Sequence, residues 1–242
     1  MTVVRQKDLI ASVADALQYI SYYHPPDFVR AMTEAYEREE SPAAKAALTQ
    51  VLVNSRMCAL GHRPICQDTG IVIVFLEVGM DVQWESELSV EEMINEGVRQ
   101  AYMDASNPLR ASVLWDPEGD RTNTLDNTPA VIHTRIVPGA ELRVEIAAKG
   151  GGSEAKAKFT MLNPSDSVVD WILDVVPTMG AGWCPPGILG VGIGGTPEKA
   201  MLLAKEAMME PIDIHELKER GAQNRAEELR LELYDRVNAL GI

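Results

Sequence analysis

RPICQDTGIVIVFLEVG, residues 63–79, is the stretch on which the reading of the fold turns. Ile71 to Val78 is a short run rich in β-branched residues with a glycine at either end, which reads as a buried strand. Everything upstream reads as helix. Leu9, Ile10, Val13, Leu17 and Ile20 fall on one face of a helix over residues 7–20, and His24-Pro25-Pro26 ends it. A second helix is predicted from Asp27 to about Glu39. Ser41-Pro42 places a capping residue before proline at the first helical position, so a third helix should run to about Ala59.

Downstream, Ser89-Val90-Glu91-Glu92 is a capping box, and the helix it opens should reach about Ala105. Pro129–Val137 and Glu141–Ala148 read as strands, with Pro138-Gly139 between them as the turn of a hairpin. Ser165–Val176 reads as a helix and Ile188–Ile193 as a strand. Gly194-Gly195-Thr196-Pro197 should open a helix to about Met209, and two more helices are predicted over Asp213–Arg220 and Asn224–Leu240. Strands are few and do not alternate regularly with helices. The predicted class is therefore α+β, a helical N-terminal segment packed with a mixed β-sheet flanked by helices.

The composition fits an ordinary globular chain of 242 residues, with 46% hydrophobic and 24% charged residues. Only 5% is aromatic, so Val, Ile, Leu, Ala and Met must fill the core. A formal net charge of −14 repels phosphate backbones and anionic lipid, which argues against nucleic acid and membrane surfaces as partners. No apolar run approaches the length of a membrane span, and the first residues carry acidic groups rather than a signal-peptide core. A cytoplasmic location is the default expectation. Three cysteines, Cys58, Cys66 and Cys184, are too few for a disulfide framework.

Two of those thiols sit in loops stiffened by proline and glycine. Cys66 lies between Arg63-Pro64 and Gln67-Asp68-Thr69-Gly70, and Cys184 lies in MGAGWCPPG. Rigid loops that present sulfur suit iron–sulfur ligation, and a buried loop cysteine is the plainer alternative. Cys58 falls near a helix end and reads as a core or supporting residue. Paired cysteine spacing of the zinc type is absent, and His24, His62, His133 and His215 form no ligand pair. In AAKGGGSEAK, residues 147–156, successive glycines let backbone N–H groups converge on an anion, with Lys149 and Lys156 adding charge. GVGIGGTPEKA, residues 190–200, fits a dinucleotide fingerprint poorly and reads better as tight packing of a strand against a helix. Arg110 suits a bidentate clamp on a carboxylate, or a surface ion pair.

Taken together and in order, RPICQDTG, AKGGGSE, GWCPPG and GIGGT resemble class I, iron–sulfur-dependent fumarate hydratases and the related L-tartrate dehydratases. The resemblance covers essentially the whole chain and corresponds to the N-terminal catalytic part of that family. It implies a [4Fe-4S] cluster with one open iron, held through Cys66 and Cys184. The family's third cysteine lies further along than residue 242, as does a C-terminal domain, so that domain or a partner subunit should complete the site. Gln67, Asp68, Arg110 and the backbone of Gly150 or Gly151 are implied in binding a small dicarboxylate, with Asp68 also handling a proton.

The resemblance implies residues 1–242 as a single N-terminal domain of a hydro-lyase that interconverts fumarate and L-malate, assembled as a homodimer and inactive alone. Tartrate dehydration is the alternative within the family. A non-catalytic metal-binding or assembly module, and a nucleotide-binding domain using the glycine loops, are the alternatives outside it.

Overall fold

The computed structural model describes residues 2–184 and 186–241. In chain order the first elements are β1 (Thr2–Arg5), α1 (Gln6–Tyr22), α2 (Pro26–Arg38), α3 (Pro42–Gly61), β2 (Ile71–Gly79), β3 (Val82–Glu85) and α4 (Val90–Tyr102). Two short strands follow, β4 (Leu114–Trp115) and β5 (Thr122–Asn123), then β6 (Val131–Val137) and β7 (Leu142–Lys149). The remainder is helical: α5 (Gly151–Glu154), α6 (Val168–Val175), α7 (Pro197–Ala207), α8 (Ile214–Arg220) and α9 (Arg225–Asn238). The class is α+β, as the pattern predicted. The chain divides into two compact units, Met1–His24 with Ala43–Gly151 and Pro25–Pro42 with Gly152–Ile242.

In the first unit, one face of a three-stranded sheet packs on α1 and α4. Val72, Val74, Leu76 and Val78 of β2 point into a core with Leu9, Ile10, Val13 and Leu17 of α1 and Met93, Ile94, Val98 and Ala101 of α4. Gly97 sets the approach of the two helices. A Cβ there would sit 2.7 Å from Val13 Cβ and 2.8 Å from the Ile10 carbonyl oxygen. The Ser89 capping box forms as read: Glu92 N–H donates to Ser89 Oγ at 3.2 Å, and Ser89 N–H to Glu92 Oε2 at 2.8 Å. Those bonds from Ser89 hold the Glu92 carboxyl below its ordinary pKa.

The strands do not pair as predicted. β2 lies between β6 and β7, parallel to β6 and antiparallel to β7, so Pro138-Gly139 connects strands that are not neighbours. The reason is burial on both faces. Ile73 and Phe75, on the opposite side of β2 from the helices, are nearly as buried as Val72 and Val74, whereas β6 and β7 carry Arg135, Arg143 and Glu145. The most apolar strand takes the centre, and the two charged strands take the edges. The connector from β6 to β7 is tied across the end of β2, with Gly79 N–H donating to Glu141 O at 2.8 Å and Met80 N–H to Val137 O at 2.9 Å. The helical reading of the first sixty residues also needs correction. β1 pairs in parallel with β3, from Thr2 against Val82 to Arg5 against Glu85.

In the second unit, Val169, Ile172 and Val176 form a small core with Leu233 of α9, and Leu189 and Val191 pack against it. Ile188–Ile193 is not a strand. Gly190 and Gly192 instead bring its backbone onto α7, where added Cβ atoms would lie 2.0 Å from Ala204 O and 1.9 Å from Ala200 O. The close-packing reading of that glycine motif holds, and the strand reading does not. The α2 helix joins this unit through Asp27, whose Oδ2 accepts from Ile212 N–H at 2.8 Å, and through an Arg30–Glu216 ion pair at 3.0 Å.

Candidate active site

Ile71 pairs with Lys149, so the loop that enters β2 lies against the turn that leaves β7. Gly70 makes this approach possible. It adopts φ +90°, and a Cβ on it would fall 2.5 Å from the Ala148 carbonyl carbon and 2.7 Å from Lys149 N. The result is a fixed place for Asp68. Its Oδ2 accepts from Gly151 N–H at 2.8 Å. Its Oδ1 accepts from Gly70 N–H at 3.1 Å and from Ser112 Oγ at 3.5 Å. Three donors thus fix its two oxygens in place.

The segment carrying Arg110 is stitched to the same loop. Thr69 Oγ1 donates to Arg110 O and accepts from Arg110 N–H, each at 2.8 Å. Arg110 is exposed, and its guanidinium makes no ion pair among the described residues. Gln67 is also exposed, with Oε1 3.4 Å from Cys66 Sγ. The first unit thus brings Cys66, Gln67, Asp68, Arg110 and Gly151 into one loop cluster. The Gly151 N–H is directed at Asp68, and Gly150 lies beside it in the turn after β7.

Cys66 is free and exposed, while Cys58 is free and buried. Cys58 Sγ lies 3.5 Å from Asn54 Oδ1 and 3.6 Å from Pro64 O, so it braces the Cys66 loop from inside. Asn54 Nδ2 donates to Ile65 O at 2.8 Å, and Ile65 N–H to Ser21 O at 2.8 Å, which fastens the same loop to α3 and α1.

Three supporting residues had no sequence signal beyond being polar: Ser112, Tyr102 and Asn127. Tyr102 ends the apolar face of α4, and its hydroxyl lies 2.8 Å from Thr69 O and 2.9 Å from Gly70 O. Burial pushes its pKa up to about 12; the hydrogen bond to Thr69 opposes this, and the Asp68 charge adds to it. Asn127 is wholly buried beneath the loops.

Cys184 belongs to the second unit. It follows a 3-10 turn over Ala181–Trp183 and is exposed in the left-handed region at φ 59°, ψ 62°, with its N–H donating to Ala181 O at 3.0 Å. Its Sγ lies 3.9 Å from Gly182 O. Pro185, half of the Pro-Pro pair expected to stiffen this turn, lies outside the described residues. Lys156 flanks the turn: a Cβ on Gly182 would lie 2.7 Å from Lys156 Cε. Glu154 binds Lys205 of α7, with Nζ 2.6 and 2.5 Å from its two carboxylate oxygens. Among the described residues no three His, Cys, Asp or Glu side chains are grouped as a metal-ligand set. Two exposed free thiols on turns with few bonds of their own fit thiolate ligation, and buried Cys58 does not.

The family model described as Fumarate hydratase (Fumerase) matches residues 10–242. The chain belongs to the fumarate hydratase family. Within that family it is 33% identical over 237 residues to the putative L(+)-tartrate dehydratase subunit alpha of Methanocaldococcus jannaschii, covering 95% of this chain and 80% of that protein. It is 28% identical over 233 residues to the L(+)-tartrate dehydratase subunit alpha of Escherichia coli K12, covering 95% of this chain and 75% of that protein. The Shigella sonnei protein of the same name matches equally. Membership in this family of hydro-lyases agrees with the resemblance seen in RPICQDTG and GWCPPG. No helix among the described residues is long and apolar enough to cross a membrane.

Proposed function

We propose that this chain is the alpha-type subunit of a hydro-lyase that adds or removes water at a four-carbon dicarboxylate, with L-tartrate dehydration ahead of fumarate hydration. The order of substrates rests on the names of the three relatives, each an L(+)-tartrate dehydratase subunit alpha, that of Methanocaldococcus jannaschii as putative. It reverses the preference drawn from the sequence. The observation that carries the chemistry is the Asp68 carboxylate, held by Gly70, Ser112 and Gly151 beside exposed Gln67 and Arg110.

Dehydration removes a proton from the carbon next to one carboxylate and a hydroxyl group from the neighbouring carbon. From tartrate this leaves water and the enol of a keto diacid. Arg110 engages a substrate carboxylate through its planar fork, and Gln67 orients the substrate with its amide. In dehydration Asp68 gives a proton to the departing hydroxyl oxygen, which leaves as water, and in hydration it takes that proton back; the role needs a carboxyl group fixed within hydrogen-bond reach of that oxygen. A [4Fe-4S] cluster held in part through Cys66 and Cys184 would supply Lewis acidity toward that oxygen. Cys58 is buried and is not placed to serve as a further ligand. A second subunit completes the site and supplies the base for the C–H proton.

The test is turnover by the assembled subunits after anaerobic loading with iron and sulfide, assayed with L-tartrate and with fumarate. The expected result is a higher kcat/KM for tartrate, and a loss of roughly 100-fold or more in kcat for Asp68→Asn. Preference for fumarate would restore the other substrate. Failure on both substrates, or wild-type kcat in Asp68→Asn, ends this reading.

A further inference from the structure

We infer that Asn127 is the positioning residue for Asp68, a claim that deepens the role proposed for that carboxylate. Asn127 is 0% exposed and sits at φ 61°, a left-handed conformation that asparagine tolerates better than most residues. All three hydrogen bonds of its side chain among the described residues go to backbone groups of the two segments that hold Asp68. Oδ1 accepts from Ser112 N–H at 2.7 Å and from Val113 N–H at 3.3 Å. Nδ2 donates to Gly70 O at 3.0 Å.

Gly70 and Ser112 are the two residues that meet Asp68 Oδ1. One amide therefore fixes both donors to the same carboxylate oxygen. The third donor, Gly151 N–H, reaches Oδ2 from the turn after β7 and touches no atom of Asn127. The arrangement requires an acceptor at one end of the side chain and a donor at the other, which a neutral primary amide provides. An apolar residue would strand Gly70 O and the Ser112 N–H in the interior, where unpaired groups are costly. Ionised aspartate would turn a lone pair toward Gly70 O.

The experiment measures hydrogen exchange at the Gly70 and Gly151 backbone amides in the full chain by NMR. In the wild type both exchange slowly, because both N–H groups bind the Asp68 carboxyl group. Asp68→Ala speeds both. Asn127→Gly keeps a backbone at ease with φ 61°. In that variant exchange at Gly70 speeds by more than about tenfold while that at Gly151 stays within about twofold of the wild type. Rates unchanged at both amides, or raised equally at both, overturn the inference.

Asn127→Asp supplies an independent measurement if the glycine variant does not fold. Protonated aspartic acid has one donor and one acceptor, as the amide does. Its kcat should fall about tenfold at pH 8 and recover toward the wild type as pH is lowered, with KM within about twofold throughout, since the lost bond positions a reacting group rather than binding substrate. No recovery at low pH, or kcat and KM changing together, also overturns it. A wild-type kcat in Asp68→Asn would end the proposed chemistry while leaving the amide measurements to decide the positioning claim.

Discussion

Asp68 and Cys184 both sit in turns punctuated by glycine, yet the protein holds them in opposite ways. The carboxylate has three donors of its own, a loop stitched to the Arg110 segment, and a buried amide beneath it. The Cys184 thiol stands exposed on a left-handed residue, with its sulfur 3.9 Å from the Gly182 carbonyl oxygen. One group is preorganised by side chains and sheet register within its unit. The other is aimed by backbone shape alone.

The largest expected effect tests whether register is what fixes the carboxylate. Gly70→Ala must place a Cβ 2.5 Å from Ala148 C at φ +90°. A loss of roughly 4 kcal/mol in denaturant unfolding is expected, combining backbone collision with left-handed strain. A loss under about 1 kcal/mol would mean that the loop is free to move off β7, against the ordinary cost of such strain.

Tyr102 gives the next. Its folded-state pKa of about 12 lies above the unfolded value near ~10, so its burial contributes stability below pH ~10 that disappears as pH rises through 12. Wild-type stability should drop over that window by on the order of 2 kcal/mol more than that of Tyr102→Phe. At neutral pH the phenylalanine variant itself should cost about 1–2 kcal/mol, because Thr69 O loses this hydroxyl donor while Gly70 O keeps Asn127 Nδ2. Parallel curves for the two proteins at high pH would remove Tyr102 from the buried frame under Thr69 and Gly70.

The smallest effect has the opposite sign and belongs to the other side of the comparison. Cys184→Gly in the metal-free chain should raise stability by about 1 kcal/mol, the relief of a left-handed non-glycine residue. A decrease in thermal unfolding temperature would show that the Cys184 side chain makes packing contacts worth more than its strain.

Element ends were legible wherever local chemistry decides them. Pro42, Pro197 and the Ser89–Glu92 box mark helix starts in the sequence and in the structure alike. Neighbour order was not legible, because Pro138-Gly139 is a local turn signal whereas pairing was settled by the two-sided burial of β2. Ile188–Ile193 reads as apolar and extended, but what fixes it is the approach of α7 to Gly190 and Gly192, a long-range fact. β1 is four residues long and finds its partner at Val82–Glu85, beyond the reach of any periodicity. At the site, Gln67 and Asp68 were singled out by the resemblance that ICQDTG carries to fumarate hydratases rather than by a spacing rule. Asn127 and Tyr102 are isolated polar residues 57 and 32 positions from the Gly70 carbonyl they bind, and no spacing rule selects them.

The placement of β2 between β6 and β7 governs how the sheet can be assembled in time. The two strands nearest in sequence share no ladder with each other, so no local hairpin can nucleate this sheet. Every rung waits for segments about 55 to 80 residues apart to meet, as in Gly79 with Val137 and Ile71 with Lys149. Loop-closure entropy on that scale precedes any sheet hydrogen bonding, which places the three-stranded core late and slow relative to α1, α3 and α4.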